Sequence, residues 1–83
     1  MNYDFVVVTT TTGDPTVAER IATDLVDRRL AACVQVHGPV RSTYRWQGKV
    51  EYTEEHVVTL KTSVDKLAEV KQAIADLHPY DVP

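Results

Sequence analysis

The stretch ACVQVHGPVRSTYRW (residues 32–46), QG (Gln47 and Gly48) and KVEYTEEHVVTLK (residues 49–61) decides the fold. Its first part reads as one extended run, broken only near Gly38 and Pro39. Its last part reads as a second run, and Gln47 and Gly48 reverse the chain between them. Strands in globular proteins seldom exceed roughly ten residues, so a ribbon of this length outruns what a small domain covers. Apolar side chains at its tip need cover from outside, and another copy of the same chain is the simplest source. The sequence therefore points to an oligomer before it points to an activity.

Pairing across a two-residue turn places Trp46 opposite Lys49, Tyr44 opposite Glu51 and Arg41 opposite Glu54. Ser42, Tyr44 and Trp46 then share one face, with Thr43 and Arg45 on the other. Glutamine is not a favoured first residue in such turns. Pro39 has no N–H for a strand ladder, so it belongs at a bulge or on a sheet edge. Lysine and arginine near the tip discourage edge-to-edge aggregation.

Outward from the ribbon, Phe5-Val6-Val7-Val8 is a short apolar run whose continuity predicts a central strand buried on both faces. Asp14 is placed to cap the helix that follows, and Pro15 suits its first position. Val17, Ala18, Ile21, Ala22, Leu25, Val26 and Leu30 recur at helical spacing, predicting a helix over about residues 15–29. Leu67, Val70, Ile74 and Leu77 mark a second amphipathic helix, which His78 and Pro79 should end because a residue before proline avoids helical backbone. The order is strand, helix, strand, strand, helix. This is an α+β, ferredoxin-like split β-α-β sheet that stops where a final strand would begin, at Tyr80 to Pro83.

Eighty-three residues suit one domain, small enough that folding buries only roughly 60–65% of the unfolded surface. Apolar residues make up 43% and charged residues 25% of the chain, which are ordinary globular values. Nine basic against twelve acidic residues give a net charge of −3, and no basic stripe suggests nucleic acid. Nothing in the sequence reads as a signal peptide, a membrane span or a polybasic membrane anchor. The single cysteine, Cys33, cannot form an internal disulfide, and it reads as a small buried hydrophobe. A cytoplasmic protein without membrane or nucleic-acid partners is the expectation.

Leu30-Ala31-Ala32-Cys33-Val34, Ser42-Thr43-Tyr44-Arg45-Trp46-Gln47-Gly48-Lys49, Leu60-Lys61-Thr62 and His78-Pro79-Tyr80-Asp81-Val82-Pro83 form an ordered set. Together they resemble the CutA divalent-cation tolerance family, over essentially the whole chain. The resemblance implies a PII-like architecture and a homotrimer in which the ribbons of neighbouring subunits pack together. It also implies a further strand and a C-terminal helix beyond Pro83, so residues 1–83 read as one domain short of the family's C-terminus. The family's association with copper implies a site of cysteine, histidine and glutamate. Only the histidine carries over, as His78. Thr10 stands at the cysteine position, and the glutamate would follow Pro83.

His78 is thus the metal candidate, for Cu(II) or a related divalent ion. One imidazole makes a weak site, and closing a helix is the competing structural role. Tyr44, Trp46, Glu55 and Lys61 are candidates for an interface or an inter-subunit pocket, with packing the favoured reading of the two aromatics. No phosphate loop, nucleophile elbow or CxxC hairpin is present, and no cofactor is required. The leading expectation is a trimeric, non-enzymatic cation-tolerance protein. The alternative is a PII-like regulatory module binding a small anion or nucleotide between subunits, with Lys49, Lys61 and Arg45 supplying charge. A purely structural scaffold is a third possibility.

Overall fold

The computed structural model describes residues 4–78. Its elements are β1 (Phe5–Thr12), α1 (Pro15–Asp27), β2 (Cys33–Trp46), β3 (Lys49–Ser63), a 3-10 turn (Val64–Lys66) and α2 (Leu67–Leu77). The three strands form one antiparallel sheet in the order β1-β3-β2. Tyr80 to Pro83, where the sequence is expected to stop short of a final strand, lie outside the described residues.

The β2–β3 ribbon has the register that a two-residue turn requires. Trp46 pairs with Lys49, Tyr44 with Glu51 and Arg41 with Glu54. Gln47 and Gly48 both take positive φ, 51° and 78°, the backbone of a type I′ turn whose twist suits the hairpin. Glutamine thus occupies a position usually given to asparagine, aspartate or glycine. The register slips between His37 and Val40, around the cis Gly38–Pro39 bond, and β2 lies at the sheet edge. Proline costs no ladder hydrogen bond in that setting.

At the start of α1, the Asp14 side chain accepts from the Thr16 amide at 2.8 Å, with Pro15 in the first turn. The helix ends sooner than its apolar spacing suggests. The Leu30 amide donates to Leu25 O and the Arg29 amide to Val26 O, while Arg29 adopts φ 60°. These are the paired bonds of a Schellman cap, with arginine where glycine is usual. Leu30, just past the cap, turns into the core beside Leu25.

Both helices pack on one face of the sheet. Val17, Ala18, Ile21 and Leu25 of α1 meet Val70, Ala73 and Ile74 of α2 over Val58 and Leu60 of β3. Among the described residues β3 is the central strand, and the exposure of one face of β1 overturns the expectation that it is buried on both. Among the described residues β1 is an edge strand, with Phe5 and Val7 63% and 62% exposed. Its apolar run faces two ways, and only Val6 and Val8 point toward the helices. The Cys33 expectation is also overturned, since the cysteine is exposed. It pairs with Lys61 and lies on the face opposite Val34.

Candidate functional site

Strand alternation divides the sheet into a helix-covered face and an open one. On the open face lie Phe5 and Val7 of β1, Cys33 and Gln35 of β2, and Val57, Thr59 and Lys61 of β3. Past the bulge, Tyr44 and Trp46 continue the same face beside Glu51 and Lys49, and Glu55 stands opposite Val40. Tyr44, Trp46, Glu55 and Lys61 therefore share one surface. Within one subunit they do not line a single pocket. Lys61 lies twelve positions along β3 from Lys49, the partner of Trp46, and at the usual rise per residue that is about 40 Å.

The ribbon sets the molecule's long dimension, 48 Å against 24 and 21 Å for the others. Its tip carries aromatic and apolar side chains on both faces, and Trp46 is 62% exposed. Tyr52 and Val50, on the side opposite Trp46, are exposed as well. The Arg41 guanidinium sits 5.0 Å from the centre of the Tyr52 ring, close enough for a cation–π contact.

His78 closes α2 with extended backbone, and its amide donates to Ile74 O at 2.8 Å. Its ring is buried, and Nε2 lies 2.7 Å from the Thr11 carbonyl oxygen. A carbonyl only accepts, so Nε2 carries the proton. The nitrogen that meets β1 is therefore not offering a lone pair to an ion. Among the described residues, no three histidine, cysteine, aspartate or glutamate side chains converge as metal ligands. A resident divalent ion wants three or four such donors, and the described residues do not fit one.

A second feature lies at the opposite end of the sheet. Phe5, Val26, Leu30, Arg29, Lys61 and Lys66 border a cleft of about 610 Å³. Of these, sequence reading singled out Lys61 as a candidate and missed the rest. Arg29 reaches the cleft through the Schellman cap, and no glycine signalled that cap. Lys66 sits in a 3-10 turn without apolar periodicity. Nearby, the Ser63 hydroxyl, with Lys66 adding a smaller effect, holds the exposed Asp65 carboxyl below its ordinary value.

The profile of the family described as CutA1 divalent ion tolerance protein matches residues 6–83. The divalent-cation tolerance protein CutA of Thermus thermophilus is 42% identical over 77 residues, which cover 93% of this chain and 75% of that protein. The corresponding Archaeoglobus fulgidus protein is 41% identical over 66 residues, 80% of this chain and 64% of the relative. The chain thus spans somewhat less than two thirds of the archaeal relative. The solved Thermus structure superposes with a TM-score of 0.90 at 40% identity, covering 95% of this chain and 77% of that one. CutA1 from a psychrotrophic Shewanella gives a TM-score of 0.92 at 34% identity, over 100% and 78% of the two chains. The solved Archaeoglobus structure is described as a periplasmic divalent cation tolerance protein.

Proposed function

This chain belongs to the CutA1 divalent ion tolerance protein family, and from that premise we propose that it serves divalent-cation tolerance as a homotrimer joined through its open sheet face. The observation that carries this reading is the uncovered face itself. Phe5, Val7, Tyr44 and Trp46 all stand on it and are exposed. Covering one such side chain is worth roughly 1.5–3 kcal/mol, so the face gives assembly a strong driving force. β2 also presents a 14-residue outer edge, which a neighbouring backbone can pair.

The role is non-enzymatic in this reading, since the family's description names tolerance and no chemical step. Cu(II) contact at His78 would be weak, because one imidazole is a single donor and its Nε2 already serves Thr11. The protein acts in the cytoplasm, where an exposed thiol such as Cys33 stays reduced. No helix among the described residues is long and apolar enough to cross a membrane.

The test is complementation in copper-sensitive cells that lack a CutA-type protein, comparing the unaltered chain with Val7→Glu. Growth under copper restored by the first and not by the second supports tolerance through assembly. Equal protection by both would refute the need for the open face, and protection by neither would refute the tolerance role.

A further inference from the structure

The cleft at the base of the sheet is built before any ligand arrives. The Thr62 hydroxyl donates to Leu30 O at 2.6 Å, a buried bond fixing the loop after α1 to β3. The Ala32 amide donates to Lys61 O at 3.2 Å, and Lys66 Nζ donates to Arg29 O at 2.9 Å. Three separate bonds therefore hold the walls in register. The volume of this open cleft, about 610 Å³, lies within the range of small-molecule sites.

Its chemistry is divided. Phe5, Val26 and Leu30 give an apolar lining, and the first two are exposed despite their size. Arg29, Lys61 and Lys66 bring three cations to the same cleft. Asp4, Asp27 and Asp65 each neighbour a lining residue in sequence, and none of the three lines the cleft. Among the described residues, the side chains of Arg29 and Lys61 have no hydrogen-bond or ion-pair partner. Two unpaired cations beside an apolar floor complement one kind of molecule.

We propose that this cleft binds a small organic oxyanion, whose apolar body rests on Phe5, Val26 and Leu30 while its charged head is held by Arg29 and Lys61. The guanidinium fork matches a planar or tetrahedral oxyanion, and the ammonium adds a point charge beside it. Lys66 contributes field more than contact, since its Nζ already serves Arg29 O. Phe5 and Lys61 also belong to the open face, whereas Val26, Arg29 and Lys66 come from α1, its cap and the 3-10 turn. The site therefore sits at the margin of the assembly surface. Its failure would leave the tolerance reading untouched.

The test uses 8-anilinonaphthalene-1-sulfonate and its uncharged counterpart N-phenyl-1-naphthylamine, titrated into the full chain and followed by fluorescence and by amide NMR shifts. The expected result is saturable binding of the anion, with the largest shifts at Ala31, Ala32 and Ser63. The neutral probe and the Lys61→Glu chain should each bind about tenfold more weakly, the loss expected for one charge-assisted contact. Lys71→Glu, the same reversal on the exposed side of α2 and away from the cleft lining, should bind as the unaltered chain does. Ala32→Trp, which fills the cleft without changing charge, should abolish binding while the far-ultraviolet dichroism is retained. Equal binding of both probes, shifts centred on Val7 or Trp46, no binding, or indifference to Lys61→Glu and Ala32→Trp would each overturn the proposal.

Discussion

His78 donates from Nε2 to the backbone oxygen of Thr11 at 2.7 Å, across 67 positions of sequence. The bond ties the end of α2 to the far end of β1. It gives the histidine a structural task whatever ions the protein meets.

Replacing His78 with alanine should therefore destabilise the subunit. The Thr11 carbonyl loses its donor at a partly buried position, a loss worth about 1–3 kcal/mol. Urea denaturation of the two chains measures it, and an unchanged midpoint would show that water replaces the ring without cost. Adding Cu(II) to the unaltered chain should not raise the midpoint appreciably, because ligand-linked stabilisation needs concentrations well above the dissociation constant.

The two ribbon glycines should respond differently to alanine. Gly48 has φ 78° with no heavy atom within 4 Å of an added Cβ, so its substitution costs conformation alone, about 1 kcal/mol. At Gly38 the φ is 145°, and the added Cβ would fall 2.9 Å from Glu55 O and 3.1 Å from His56 Cα. Gly38→Ala should be the worse by a clear margin in thermal unfolding. Equal losses would mean that the bulge yields to the new methyl group.

At Gln47, whose φ is 51°, asparagine should be an improvement, since its short amide tolerates left-handed backbone. Gln47→Asn should stabilise the hairpin by up to about 1 kcal/mol, read as a higher urea midpoint. A lower midpoint would show that the glutamine side chain contributes something its backbone conformation conceals.

Acid should reach Asp65 later than an ordinary aspartate. Its carboxyl is held below the ordinary 3.8, chiefly by the Ser63 hydroxyl, so the charged form is favoured when folded. Such a group contributes stability above the unfolded value and loses it as pH falls through the lower folded one. An NMR titration should show the Asp65 midpoint rising toward 3.8 in Ser63→Ala. An unmoved midpoint would assign the shift to the backbone hydrogen bond at Asp65 and, after it, to the Lys66 charge.

Much of this fold was legible because its strongest signals are local. The Gln47-Gly48 turn set the register of the ribbon, and Asp14-Pro15 set the start of α1, both as the structure has them. The open face of β1 was not legible, since Phe5 to Val8 is apolar throughout and alternation there carries no sign of sidedness. Cys33 was misread for a related reason. A cysteine beside Val34 does not announce which of the two faces the helices cover. The cleft escaped because it depends on Arg29 taking a left-handed conformation at a helix end that carries no glycine. Tyr44, Trp46, Glu55 and Lys61 were chosen for their chemistry, and only the paired register shows that one face carries all four.

Trp46 separates subunit stability from assembly. Its ring is 62% exposed, so Trp46→Ala should change the unfolding energy of an isolated subunit by no more than about 0.5 kcal/mol. If a neighbour buries the ring, the same change should cost the assembly about 3–5 kcal/mol. Denaturation at several protein concentrations distinguishes the two, because only the second loss depends on concentration.

The most direct measurement is the solution mass of the unaltered chain and of Val7→Glu, by sedimentation velocity over a wide concentration range. Assembly through the open sheet face predicts a three-subunit particle for the unaltered chain and a folded single subunit once a charge is set in the middle of that face. A well-folded single subunit in both cases, with Phe5, Val7 and Trp46 left in water, would contradict it.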